Sequence, residues 1–141
     1  MMSYERAIDT STSPSASLTI DASPEHLGVL RALVRTAAAH YPLTLDALTD
    51  LVLAADEAAS TLVNYAAPRS TLMCTFAVDT DHQLRIGLTA TTLRPISNSS
   101  SSFGRIVLRT LVDNVAIEQV PTPIDGEWLV TVMLGKAVQP G

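Results

Sequence analysis

Cysteine, lysine and aromatic residues are scarce in this sequence of 141 residues. The single cysteine, Cys74, excludes an internal disulfide and a zinc site built on several cysteines. Lys136 is the only lysine, which excludes a phosphate-binding loop of the GxxxxGK[ST] type. The six glycines are scattered, without the spacing of a dinucleotide-binding loop. Aromatic residues make up 4% of the chain, so the core must consist mainly of Leu, Val and Ala.

Positively charged residues are also few. Nine Lys and Arg residues stand against 14 Asp and Glu, a formal net charge of −5, so no basic stripe can neutralise nucleic-acid phosphates. No run of about 18 apolar residues could span a membrane. The segment Met1 to Ser17 lacks the basic start and apolar stretch of a signal peptide. With 47% hydrophobic residues, we expect one soluble, cytoplasmic domain that binds neither nucleic acid nor a membrane directly.

Hydrophobic periodicity predicts five strands and three helices. The first 15 residues are polar and aperiodic, which predicts a disordered tail ahead of a domain spanning 16–137. Helix starts are predicted where Ser23, Thr44 and Ser102 can cap the chain that follows them. In order, the predicted elements are a strand at 16–22, helices at 24–39 and 45–66, strands at 71–79 and 83–92, a helix at 103–112, and strands at 115–120 and 127–134.

This order of elements predicts an α+β fold. Short turns near Thr80-Asp81 and over Pro121–Gly126 indicate two antiparallel hairpins. Three amphipathic helices can cover one face of the resulting sheet. We therefore expect a two-layer sandwich in which a mostly antiparallel, mixed sheet of about five strands carries three helices on one face.

The second predicted helix has a polar face. At 100° per residue, five polar side chains fall within about 60° of one another. They are Asp46, Asp50, Glu57, Thr61 and Asn64. The simplest interpretation is a solvated face, but Leu53 and Ala54 lie on or beside it. If the helix were covered on both sides, a carboxylate there would need a partner or a ligand. Periodicity alone leaves both interpretations open.

The pattern LxLAxxEAxxxLVxxA at residues 51–66, together with the order of elements, resembles the serine-kinase anti-sigma factors of bacteria. These proteins have the histidine-kinase-like ATPase fold. The similarity spans about residues 18–135 and is greatest to the degenerate actinobacterial members. In that family a Glu acts as general base and an Asn four residues later binds Mg²⁺. The resemblance places Glu57 on the first position and Thr61 on the metal position, with Asn64 one turn further as an alternative ligand.

Two further nucleotide motifs of that family are incomplete. The region that should read adenine, Leu88–Arg94, lacks the motif's Asp and glycines and leaves Thr89 and Thr91 as candidate hydroxyls. The phosphate-binding loop corresponds to a Ser-rich turn followed by Gly104 and Arg105, although a capped helix after a flexible loop is the simpler interpretation. The family thus implies ATP and Mg²⁺ as cofactors, while these substitutions disfavour both.

The resemblance implies an anti-sigma factor that sequesters a sigma factor of RNA polymerase, is regulated by an anti-anti-sigma factor, and serves transcription regulation in a stress response. One alternative is an active serine kinase that phosphorylates the anti-anti-sigma factor, with Glu57 as base. Another is a regulatory module of the same fold that binds a different partner, such as a phosphatase or an anti-anti-sigma factor alone. The family also implies a homodimer, and Arg31 and Arg35 on the first helix are the expected partner contacts. The net negative charge suits a partner with basic surfaces.

Overall fold

The computed structural model describes residues 16–96 and 103–139. The predicted order of elements is confirmed, with ends that differ by a few residues. The elements are β1 (Ala16–Asp21), α1 (Leu27–Ala38), α2 (Leu45–Tyr65), β2 (Thr71–Val78), β3 (Gln83–Thr92), α3 (Phe103–Leu111), β4 (Asn114–Pro121) and β5 (Trp128–Ala137). The predicted disordered tail, the Ser-rich turn and the cap at Ser102 lie outside the described residues.

The strands form one sheet in the order β1-β2-β3-β5-β4, and every pairing between them is antiparallel. The predicted, mostly antiparallel sheet of five strands is therefore confirmed, with the difference that it is antiparallel throughout and not mixed. Two consecutive helices, α1 and α2, return the chain to the end of the sheet where β1 finishes, so β2 runs opposite to β1. α3 carries the chain from β3 to β4 at the sheet edge, and β5 then fills the gap. The parallel strands β3 and β4 are thus never neighbours.

All three helices cover one face of the sheet, and α2 is the central one. It contacts α1 and α3 as well as β3 and β5. Ala54 is completely buried while Leu53 is 52% exposed, so α2 is covered on both flanks and open only along a narrow outer strip. The polar face of α2 is therefore not simply solvated, because part of it lies against a neighbouring helix. Within the described residues, no helix is long and apolar enough to cross a membrane.

The two described helix starts differ in how they are capped. Thr44 Oγ1 accepts a hydrogen bond from the backbone N–H of Ala47 at 3.0 Å, which confirms this predicted cap. Ser23 makes no side-chain bond to the backbone, and its Oγ lies 2.7 Å from His26 Nδ1 instead. The chain begins there with a 3₁₀ turn, Pro24–His26, and α1 follows it.

The core lies between the helices and the sheet and is aliphatic, as the composition predicts. Alternate residues of β3 (Leu84, Ile86 and Leu88) are completely buried in it. Cys74 on β2 is equally buried, and this burial raises the pKa of its thiol to about 12. Because the thiolate is the reactive form, Cys74 is an inert core residue at neutral pH.

The turn between β2 and β3 is organised by the buried carboxylate of Asp79. Asp79 Oδ1 accepts hydrogen bonds from the backbone N–H groups of Asp81 (2.9 Å) and Gln83 (3.1 Å), and Oδ2 accepts one from Arg85 Nε. Burial by itself would raise the pKa of Asp79. The bond from Arg85 and the two backbone bonds outweigh burial, so the pKa is lowered below its ordinary value.

Asp79→Asn is expected to reduce the free energy of unfolding at pH 7 by about 1–2 kcal/mol, because the charged acceptor is lost. A carboxyl whose pKa is lower in the folded state stabilises the fold above its unfolded-state pKa of about 4, and this contribution disappears as the pH falls through the folded-state value. Urea unfolding should therefore show a difference between wild type and variant that shrinks in acid. The exposed neighbour, in Asp81→Asn, serves as the control. A difference that is constant with pH would contradict the role of the charge.

Candidate functional site

A cavity of about 200 Å³ lies between α2, α3 and the sheet. It brings together four residues that the resemblance singled out: Glu57 and Thr61 from α2, and Gly104 and Arg105 from the first turn of α3. The remaining lining residues are mostly apolar: Ala58, Tyr65, Ile96, Leu108, Ile117 and Val132. In this cavity, polar groups from two helices therefore lie together above an apolar floor.

Helical and strand periodicity explain how these side chains converge. Glu57, Thr61 and Tyr65 are spaced four residues apart, which places them along one flank of α2, the flank that faces α3. Ile117 and Val132 are paired across β4 and β5 and face the helices, so they form the floor of the cavity.

Glu57 lies where α2 and α3 approach each other. Its side chain is half-buried, and among the described residues its carboxylate has no hydrogen-bond or ion-pair partner. A methyl group at Gly104 would come within 3.2 Å of Glu57 Oε2, so the first turn of α3 lies close to the tip of the Glu57 side chain. A half-buried carboxylate without a partner is available to a ligand or to a substrate hydroxyl.

Thr61 is less suited to its expected role as a metal ligand. Its hydroxyl donates a hydrogen bond to the backbone carbonyl of Glu57 at 3.1 Å, the usual bond of a helical threonine to the preceding turn. Mg²⁺ requires near-octahedral oxygen coordination, which one hydroxyl supports poorly. Within the described ranges, no cluster of three or more His, Cys, Asp or Glu residues could hold a metal ion.

Three other expected cofactor-binding residues are not brought to the cavity. Asn64 is exposed and does not line it. Thr89 and Thr91 alternate with residues that are buried beneath the helices, so they lie on the opposite, open face of the sheet. There the hydroxyl of Thr89 lies 3.0 Å from that of Thr131 on β5.

Tyr65 is a lining residue that the sequence reasoning missed, and the end of α2 that carries it is tied to the end of β3 near Thr92. Thr92 is completely buried, and its hydroxyl donates to the carbonyl of Arg94 at 2.7 Å. The backbone N–H of Leu93 donates to the carbonyl of Tyr65 at 2.9 Å, and the Arg94 guanidinium carbon lies 4.6 Å from the centre of the Tyr65 ring. These contacts join the end of β3 to the end of α2. The spacing of Tyr65 from Glu57, two helical turns along the same flank, is the signal that could have identified it.

The two arginines expected to contact a partner have different surroundings. Arg31 Nη2 forms an ion pair with Asp56 Oδ1 at 2.9 Å, which links α1 to α2 while leaving the Arg31 side chain 51% exposed. Arg35, one turn further along α1, is exposed and forms no ion pair with any described residue. Arg35 is therefore more available than Arg31 to contact a partner protein.

Lys136 anchors the end of α3 that lies far from Gly104. Its Nζ donates to the carbonyl of Leu111, the last residue of α3, at 2.9 Å and lies 3.9 Å from Asp50 Oδ2 on α2. Asp113 adds two bonds to β5, from its backbone N–H to the Gly135 carbonyl and from the Ala137 N–H to its carboxylate. The position of α3 above the cavity is thus set by contacts within the protein.

No protein-family model matches the sequence, and no curated protein matches it either. Solved structures are similar to it in fold. The crystal structure of the RsbU and RsbW domains of Rv1364c from Mycobacterium tuberculosis has a TM-score of 0.64 and 20% identity over 92% of this chain. The match covers 34% of that chain, so our protein spans about a third of its length.

A second similar structure is the SiaB-SiaC complex from Pseudomonas aeruginosa. The TM-score is 0.65 and the identity 11%, over 84% of this chain and 89% of the matched chain. At these identities the likeness concerns the fold. It confirms the fold that the resemblance to anti-sigma factors predicted.

Proposed function

We propose that this protein is an anti-sigma factor that acts by binding: it sequesters a sigma factor, and an anti-anti-sigma factor regulates it without being phosphorylated. The observation that carries the proposal is the cavity between α2 and α3. At about 200 Å³ it is smaller than the roughly 300–1,000 Å³ of ordinary small-molecule pockets. A protein with this fold and so small a site is better suited to present a surface than to turn over a nucleotide.

The chemistry of the lining supports the same conclusion. Phosphoryl transfer depends on positioning the phosphates and on metal ions that neutralise the developing charge. Here the expected metal position is Thr61, whose hydroxyl is already bonded to the helix backbone. The threonines expected to read adenine lie across the sheet from the cavity. ATP and Mg²⁺ therefore lack most of the groups that would hold them.

Glu57 favours a second candidate function, an ATP-dependent serine kinase. The family resemblance assigns it the general-base position, and its carboxylate lines the cavity without a partner among the described residues. In this alternative, Glu57 accepts the proton of a serine on the anti-anti-sigma factor.

Partner binding is the activity that both candidates share. The second structural match is a complex of two proteins, SiaB and SiaC, which makes a complex between our protein and an anti-anti-sigma factor a natural proposal. The exposed Arg35 offers a contact on α1 for an acidic group of the sigma factor, while the net charge of −5 of the whole chain suits that partner's basic surfaces. We also propose that the protein forms a homodimer, as the family resemblance implies.

Calorimetric titration with Mg·ATP and Mg·ADP should separate the two candidates. We expect no binding heat and no rise in melting temperature at millimolar nucleotide, because a bound ligand would stabilise the folded state. Binding in the micromolar range would contradict the proposal and favour the kinase. In that event, Glu57→Gln should abolish phosphate transfer without changing the affinity for the partner. Transfer that survives this substitution would exclude Glu57 as the base.

In vitro transcription with each sigma factor of the host provides the test of sequestration. The protein should inhibit transcription from one of them in a concentration-dependent manner. Arg35→Glu should weaken that inhibition about tenfold, or about 1.4 kcal/mol, because it reverses the charge of an exposed contact. Arg109→Glu makes the same change at an exposed position of α3 and should have little effect. The absence of inhibition for every sigma factor would refute the proposal.

A further inference from the structure

The cavity between α2 and α3 has a polar mouth and an apolar interior. Glu57, Thr61 and Arg105 are half-buried and surround the opening. Leu108 and Val132, by contrast, are 5% and 1% exposed and form part of the interior. A molecule that occupies the cavity therefore meets charged and hydroxyl groups at the mouth and aliphatic side chains below them.

The mouth holds two opposite charges that are not paired with each other. Glu57 on α2 and Arg105 on α3 both line the cavity, yet no ion pair joins them in the part of the chain that the structure describes. Arg105 has an interaction within the protein, and the several N–H donors of a guanidinium are enough to bind a further anion as well. The mouth can therefore accept a cationic and an anionic group side by side.

The volume of the cavity limits the size of its ligand. About 200 Å³ is the space that about seven water molecules occupy in the liquid. A molecule with a similar number of non-hydrogen atoms can fill this space, whereas a nucleotide is several times larger. The cavity therefore suits a small metabolite, which is well below the size of the ligands that ordinary pockets hold.

We propose that the cavity binds a free aliphatic α-amino acid of the size of valine or leucine. The ammonium group of the ligand lies against the Glu57 carboxylate, and its carboxylate lies against the Arg105 guanidinium. Its side chain points inward and contacts Leu108 and Val132. The bound molecule thereby ties the first turn of α3 to α2. The inference goes beyond the proposed function, which gives this cavity no ligand.

The charges of the mouth favour a zwitterion over a simple ion. A carboxylic acid would place a second negative charge near Glu57 and leave that side chain without a partner. An amine would place a second positive charge near Arg105. An α-amino acid carries both signs on neighbouring groups and has no net charge, so each of its groups meets the opposite charge. Charge-assisted hydrogen bonds of this kind are stronger than those between neutral groups.

The interior favours an aliphatic side chain on the ligand. The side chains of Ala58, Leu108 and Val132 contain only carbon and hydrogen, so a polar ligand side chain would lose its hydrogen bonds to water there. Each methylene group that the ligand buries should raise its affinity about fourfold. We therefore expect the affinity to increase from glycine through alanine and valine to leucine, and the bulky tryptophan not to bind.

Calorimetric titration and thermal unfolding of the full chain with free L-leucine test the proposal. We expect saturable binding heat and a melting temperature that rises as leucine is increased to about 10 mM. N-acetyl-leucine lacks the ammonium group and leucine amide lacks the carboxylate. Each should bind about tenfold more weakly than leucine, because one charged hydrogen bond is lost.

Two variants assign the charged groups of the ligand to their partners. Glu57→Gln should bind leucine about tenfold more weakly and should no longer distinguish leucine from N-acetyl-leucine. Arg105→Gln should likewise lose the distinction between leucine and leucine amide. The matched controls are Asp46→Asn and Arg109→Gln, which remove the same charges at exposed positions of α2 and α3 outside the cavity and should bind leucine as the wild type does.

The comparison of ligands on the wild type needs no variant, so it tests the proposal even if Arg105→Gln does not fold, which circular dichroism would show. The proposal is overturned if the wild type gives neither binding heat nor a thermal shift with leucine, or if both modified leucines bind as tightly as leucine itself. Unchanged affinity in both Glu57→Gln and Arg105→Gln would also overturn it. Because these measurements contain neither a sigma factor nor a nucleotide, their failure is distinguishable from failure of the proposed function.

Discussion

The position of α2 between two helices and the sheet is the constraint on which the rest of the structure depends. Alanines at positions 54, 55, 58 and 59 are buried and keep the helix narrow, so that α1, α3 and β3 can all approach it closely. Larger side chains there would force these neighbours apart. The two flanks of α2 then make different contacts. On one flank Asp56 holds Arg31 of α1, while on the other Glu57 and Thr61 form the wall opposite α3.

Much of this fold could be predicted because local patterns determine it. The alternation of β3 and the Thr44 cap of α2 concern residues that are neighbours in the sequence. That the sheet is antiparallel throughout, and not mixed, could not be predicted, because it depends on β5 entering between β3 and β4, and no local pattern encodes that insertion. Ser23 failed as a cap for a different reason: the His26 ring competes for its hydroxyl.

The expected site residues of α2 line the cavity, whereas the expected residues of β3 do not. Glu57 and Thr61 keep their relation because four residues make about one helical turn, so a family motif transfers directly. In a strand, a shift of one residue moves a side chain to the other face. The segment Thr89-Ala90-Thr91-Thr92 lacks the Asp that would align it with the family motif. Its three threonines are alike in polarity, so the sequence does not show which of them faces the helices. The structure places Thr92 inside and Thr89 and Thr91 outside.

The contacts of α3 connect the small cavity with a function in binding. In a nucleotide-dependent protein, phosphates at a helix N-terminus help to determine where that helix lies. Here Lys136 and Asp113 hold one end of α3, while at the other end Gly104 lies close to the Glu57 carboxylate of α2. A helix positioned by its own chain keeps its place against α2 whether or not a nucleotide is present, so the surface formed by α1 and α2 does not depend on one. In the proposed function, release of the sigma factor would then depend on competition between protein partners, and the retained Glu57 would not be required for it.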